Sequence, residues 1–104
     1  MLNSAVETKE LLSKMNLRDE KSAIITPAYF HGCVESSILD LFGEISGYIE
    51  LELIQFSKPQ KRGLFKVPKA FYEQIRASIA LIGHYQDIPC HFEVLRDSEE
   101  RLEI

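Results

Sequence analysis

The sequence predicts an α+β domain of the ferredoxin-like kind, β-α-β-β-α-β, with a four-stranded antiparallel sheet and two helices on one face. Two observations carry this reading. Apolar residues recur at helical spacing in two separate stretches, and around those stretches they alternate as they do in half-buried strands. A third fits both: 104 residues at 45% hydrophobic composition suit one domain, 1–104, burying somewhat under about 70% of its unfolded surface.

Ser4 and Glu7 satisfy a capping box, so residues 1–9 read as a disordered or helical N-terminus. Beyond them Leu11, Leu12 and Met15 would suit a helix, yet Leu11, Ser13, Met15 and Leu17 also alternate with Leu12, Lys14, Asn16 and Arg18. The strand is favoured, because it completes an order whose two right-handed crossovers lay both helices on one side. Thr26 and Pro27 then supply an N-cap hydroxyl and a first helical residue without an N–H. Phe30, Val34, Ile38 and Leu41 form the buried stripe of that helix, and Gly43 allows its stop.

From Tyr48 to Phe56 the pattern alternates, with Ile49, Leu51 and Leu53 on one face and Glu50 and Glu52 on the other. The polar loop from Lys58 to Gly63 leads into a short strand, Leu64 to Val67, which Pro68 ends. Phe71, Ile75, Ile79 and Ile82 repeat the helical stripe, with Gly83 as stop. Cys90, Phe92 and Val94 alternate with His91, Glu93 and Leu95 in a last strand, after which 97–104 reads as a solvated acidic tail. Strict alternation leaves Ile54, Leu64 and Leu95 on the sheet face away from the helices, and these are the candidate partner-interface residues.

Charge is unevenly distributed. Lys58, Lys61, Arg62, Lys66 and Lys69 fall in one twelve-residue stretch without Asp or Glu, which carries +5 while the rest carries −9, for a net charge of −4. A pI near 5.3 argues against holding nucleic acid by bulk charge, so any such contact is local. No apolar run approaches the roughly 18–20 residues of a membrane span, and Glu7, Lys9 and Glu10 stand where a signal peptide would need an apolar core. An intracellular protein that contacts no membrane is the expectation. Cys33 and Cys90 lie in apolar patterns and read as reduced core residues.

No catalytic or metal site is expected. His31 with Cys33, and Cys90 with His91, lack the spacing that converges four metal ligands. His84 and Tyr85 follow a helix stop and read as turn residues, and Glu50 with Glu52 as a solvated strand face. Nucleophile elbows, phosphate-binding glycine loops and dinucleotide fingerprints are missing. Acylphosphatase-like hydrolysis would need an arginine in a glycine-rich loop after the first strand, where Asp19-Glu20-Lys21 stands. The stretch Arg62 to Val67 resembles the octapeptide of RNA-recognition motifs, but its stacking positions would be Leu64 and Lys66, with Phe65 facing the core.

Four segments together resemble one family. They are Ile38-Leu39-Asp40-Leu41-Phe42-Gly43-Glu44, Gly63-Leu64-Phe65-Lys66-Val67-Pro68-Lys69, Leu81-Ile82-Gly83-His84-Tyr85 before Ile88-Pro89, and Cys90-His91-Phe92-Glu93-Val94-Leu95. In order and spacing, from about Ile24 to Arg96, they are similar to the small α/β protein subunits of ribonuclease P and ribonuclease MRP, most of all to the accessory fourteen-kilodalton type. The resemblance implies a noncatalytic subunit of a ribonucleoprotein that matures the 5′ end of precursor tRNA, or processes ribosomal RNA precursors in the MRP form. It implies sibling protein subunits and the P or MRP RNA as partners, a nuclear and nucleolar location, and Mg²⁺ at the holoenzyme RNA, with no cofactor on this chain. Lys58, Lys61, Arg62, Lys66 and Lys69 become candidate RNA phosphate contacts. One departure stands out: where a sibling has a glycine-rich basic stretch after its last strand, this chain has Asp97-Ser98-Glu99-Glu100. The competing reading is a protein-interaction or small-ligand regulatory ferredoxin-like domain unrelated to RNA.

Overall fold

A computed structural model describes residues 7–17 and 25–104. Residues 1–6, with the Ser4 half of the capping box, and 18–24, with Asp19-Glu20-Lys21, lie outside the described residues.

The chain runs β1 (Thr8–Leu17), α1 (Pro27–Phe42), a 3₁₀ stretch (Gly43–Tyr48), β2 (Glu52–Ser57), β3 (Arg62–Pro68), a 3₁₀ turn (Lys69–Phe71), α2 (Tyr72–Ala80), β4 (His84–Tyr85) and β5 (Ile88–Ser98). The fold is α+β, with an antiparallel sheet in the order β2-β3-β1-β5-β4. The connection through α1 therefore crosses β3, and the one through α2 crosses β1. The sheet has five strands rather than the expected four. Gln86 and Asp87 both take positive φ, 51° and 65°, the signature of a two-residue type I′ hairpin, which lets His84 and Tyr85 pair with the start of β5. Asn-Gly would have announced that turn; Gln-Asp does not. Tyr29 holds the hairpin to α1, packing edge-on to Tyr85 at 5.0 Å and donating its hydroxyl hydrogen to the Tyr85 carbonyl at 3.2 Å.

The strand expected near the N-terminus is present, and it begins at Thr8, so the last residues of segment 1–9 are already extended. α1 starts as read: the Thr26 hydroxyl accepts the Tyr29 N–H at 3.0 Å, and Pro27 follows. It ends at Gly43, whose φ of 57° a side chain would resist. Phe30, Val34 and Ile38 are buried, but Leu41 is 45% exposed. Leu39 and Asp40 are exposed as well, so the last turn overhangs the core and only Phe42 turns back onto it. In α2, Ile75 and Ile79 are buried as expected, and Phe71 and Ile82 pack from just outside the helix. The two helices meet through small residues, the Ser37 hydroxyl donating to the Ser78 carbonyl at 2.7 Å.

Phe30 is the hub of the core. Its ring lies 5.3 Å from Phe56, 5.6 Å from Phe65 and 5.0 Å from Phe92, so one side chain of α1 joins β2, β3 and β5. It presses on Gly63, where a Cβ would come within 2.3 Å of the ring. Cys33 and Cys90 are free and buried in the same cluster; burial first, and the neighbouring thiol second, pushes Cys33 well above the usual thiol range.

Two bulges interrupt the alternation. In β2 the register slips between Leu53 and Gln55, so Ile54 is the extra residue, and Leu53 and Phe56 both reach the core. In β5 it slips opposite Leu12 and Ser13, making Leu95 the extra residue. Beyond that bulge, Asp97 pairs with Leu11 and faces the helices. There its carboxylate accepts from the Tyr72 hydroxyl at 2.5 Å and Arg76 at 3.0 Å, and pairs with Lys9 at 3.3 Å. Lys9 also sits 4.0 Å above the Tyr72 ring. The expected solvated tail is thus tied down at its first residue, and further on the Leu102 N–H donates to the Glu10 carboxylate at 2.7 Å.

Candidate nucleic-acid interface

The structure divides the basic window in two. Lys58 stands exposed in the 58–61 loop, which closes with Lys61 in the left-handed region at φ 54°. That loop is braced: the Lys61 N–H donates to the Lys58 carbonyl at 3.2 Å, and the Lys61 carbonyl accepts the Met15 N–H at 2.8 Å. Arg62 opens β3 directly across from Lys14 of β1. Further along are Lys66 and, just past the strand, Lys69, about 14 Å and up to about 24 Å from Arg62 at roughly 3.4 Å per residue.

Those two have carboxylates for neighbours. Lys66 is exposed and lies between Glu10 of β1 and Glu52 of β2 in the register. Lys69 forms an ion pair with Glu99 and a looser one with Glu7 at 3.8 Å, while its N–H donates to the Glu7 carbonyl at 2.9 Å. The hydrogen bond and charge of Glu99 raise the Lys69 pKa above its ordinary value, and Lys69 holds Glu99 below its own. A phosphate arriving there would compete with two carboxylates already in place. The window is therefore split between a tip that holds Lys58, Lys61 and Arg62 and an end where Lys66 and Lys69 have carboxylate neighbours.

Lys14 joins the tip, although nothing in its local sequence announces this. Only the antiparallel register with β3 sets it beside Arg62. A hollow of about 320 Å³ opens there, lined by Lys14, Asn16, Gln60, Lys61 and Arg62 among its polar groups. Across β1 from Lys14 is Glu93, whose carboxylate accepts the Asn16 amide at 2.8 Å.

The candidate interface residues are not one open strip. Leu64 is fully buried at 0% exposure, and its cross-strand neighbour Leu12 is at 3%, although neither belongs to the helix-side core. The C-terminal residues Glu103 and Ile104 come to this face, lining a hollow with Leu12, Arg62, Leu95 and Arg96. Ile54 and Leu95 are half-buried at their bulges. The large apolar side chains that do face solvent are Leu39, Leu41 and Leu81, at 58%, 45% and 67% exposure near the ends of the two helices.

His31 has structural partners. The His31 Nε2 donates to the Leu51 carbonyl at 2.7 Å and its Nδ1 lies 3.2 Å from Glu35, pinning the approach to β2 onto α1. His84 begins β4. Among the described residues, no three His, Cys, Asp or Glu side chains converge as they would to hold a metal.

A small antiparallel α+β domain with Lys14, Lys58, Lys61 and Arg62 gathered on a braced hairpin tip defines a class of protein by fold and surface charge. Within that class the chain belongs to the Rpp14/Pop5 family of ribonuclease P/MRP subunits, whose family model matches residues 6–98. Its fold is similar to that of a chain in the cryo-EM structure of yeast ribonuclease MRP, with a TM-score of 0.79 at 14% identity, covering 99% of this chain and 83% of that one. No curated protein matches the chain in sequence. The alternative of a domain unrelated to ribonucleoproteins is disfavoured by the family match.

Proposed function

We propose that this chain acts in the ribonuclease P or MRP particle as a noncatalytic subunit, supporting 5′ maturation of precursor tRNA, or processing of ribosomal RNA precursors in the MRP form. It does so by packing against sibling protein subunits and by a few contacts to RNA phosphates. The observation that carries this reading is the placement of Lys58, Lys61, Arg62 and Lys14 on a rigid tip within a chain of net charge −4. A handful of cations orients a subunit on RNA; binding by bulk charge needs many more. In this reading the four longer strands and the two helices are a ferredoxin-like core to which β4 is added.

Hydrolysis and its Mg²⁺ are assigned to the RNA of the holoenzyme. Among the described residues, Asp97, Tyr72 and His31 brace the fold through hydrogen bonds. The reading places the protein in the nucleus and nucleolus. For the sibling contact, Leu39, Leu41 and Leu81 are better placed than the covered Leu64. Depleting the chain from its cells should make 5′-extended precursor tRNAs or uncleaved ribosomal RNA precursors accumulate. Unchanged levels of both would overturn the proposal.

A further inference from the structure

We infer that the outward face of α1, from Gly32 to Asp40, is the dock for a sibling subunit, and that it takes a protein segment carrying apolar side chains between lysines or arginines. The inference rests on the reading that the chain packs against sibling proteins, and it names the chemistry of the segment that packs there.

Two hollows of about 450 and 470 Å³ open along this helix. Ser36 and Tyr85 line both, so the two adjoin across α1. Leu81 borders the first and Leu39 the second, and at 67% and 58% exposure they are two of the three large apolar side chains that face solvent among the described residues. Gly32 and Ser36 are small enough to let a second chain come close to the helix between them. Exposed leucines around hollows that a partner can fill are how a protein seats an apolar anchor.

Charge names the occupant. Residues 22–57 and 77–95, which supply every described residue lining the two hollows, hold five and two carboxylates and no lysine or arginine. These stretches carry −7, while the rest of the chain, with twelve cations against nine carboxylates, carries +3. Asp40 borders the first hollow and Glu35 the second, and both are exposed. The basic groups at hand are histidines: His84 lines the first hollow, and His31 is held between the Leu51 carbonyl at 2.7 Å and Glu35 at 3.2 Å. Asp40, and Asp87 in the adjoining hairpin turn, enter no ion pair among the described residues. Arg76, the cation on α2, is engaged by Asp97 at 3.0 Å. Such a surface repels phosphate and attracts cations, so a segment that fills the hollows with apolar side chains gains most by flanking them with lysine or arginine.

The test puts the photo-cross-linking residue p-benzoylphenylalanine in place of Leu39 or of Leu81 in the tagged full chain, in its own cells. The particle is purified through the tag, and mass spectrometry identifies the cross-linked peptides. Both positions should reach one protein subunit of the ribonuclease P or MRP particle, in a segment with lysine or arginine beside the cross-linked residue. Glu35→Lys with Asp40→Lys should lower recovery of that subunit at least about tenfold, whereas the charge-matched pair Glu73→Lys with Glu100→Lys, also at exposed positions, should lower it little. Changing the basic residues of the partner segment to Glu should restore recovery. Circular dichroism confirms that each variant folds, and Asp40→Lys alone serves if the double variant does not. Cross-links to RNA, to a second copy of the chain or to a protein outside the particle would overturn the dock, as would a segment without cations or equal losses from both pairs. No cross-link from a particle that still carries its RNA would overturn the dock while leaving the subunit role standing. Recovery of neither RNA nor sibling subunits with the unaltered chain would overturn the broader reading with it.

Discussion

Phe30 and Gly63 show how closely two residues can depend on each other. The phenyl ring occupies the space where any side chain at position 63 would begin, so Gly63→Ala must push the ring off its three aromatic partners. We expect that substitution to cost about 1–3 kcal/mol, as overpacking does. Phe30→Ala, which leaves a cavity instead, should cost about 3–5 kcal/mol. Urea midpoints of the two variants check both values. The same scale separates core from surface among the leucines. Leu64→Ala should lower stability by about 2–5 kcal/mol because the residue is fully buried, whereas Leu81→Ser, at a position 67% exposed, should leave the midpoint nearly unchanged. If Leu81 instead proved as costly as Leu64, the assignment of buried and free apolar faces would be wrong. In the sequence the two are equivalent, each a leucine in an apolar pattern; what distinguishes them is a place within the sheet for one and beyond a helix end for the other.

The elements were legible wherever a simple period holds. The stripe of Phe30, Val34 and Ile38, the Thr26-Pro27 start and the Gly43 stop needed no more than a helical repeat. Strand bulges break that logic, because one extra residue leaves the local composition unchanged while turning everything beyond it to the other face. Thus Ile54 and Leu95 read as members of an open face, and Asp97 as the start of a tail, when the bulge at Leu95 in fact swings Asp97 under α2. The result is a clasp of Lys9, Tyr72, Arg76 and Asp97 joining β1, α2 and β5.

The clasp has a pH signature. The Tyr72 hydroxyl, with Lys9 and Arg76 beside it, holds the Asp97 pKa below its ordinary 3.8. A carboxylate depressed in the folded state contributes stability that is complete above the unfolded pKa and is lost as pH falls through the native one. Burial, with the hydrogen bond to Asp97 adding to it, raises Tyr72 above 10.0, so its contribution is complete below that value and fades as pH rises through the raised one. Asp97→Asn should therefore flatten the loss of stability below about pH 4, read from unfolding midpoints between pH 2 and 7. An unchanged acid limb would show that the clasp contributes nothing.

At the scale of the whole molecule, the basic run was visible in the sequence but its division was not. Which lysines are spent on internal pairs depends on the strand register and on where Glu7 and Glu99 come to rest, and both are products of folding. In the proposed reading a few cations orient the subunit on RNA and protein neighbours hold it in place, as suits a chain of net charge −4. Replacing Leu39, Leu41 and Leu81 together by Ser should accordingly reduce recovery of sibling subunits from cells without altering the fold, as judged by circular dichroism. The central claim, that this is a working subunit of the ribonuclease P or MRP particle, is tested most directly by purifying the tagged protein from its own cells and sequencing the RNA that comes with it. Strong enrichment of a P-type or MRP-type RNA is the expected result, and recovery of neither would contradict the account.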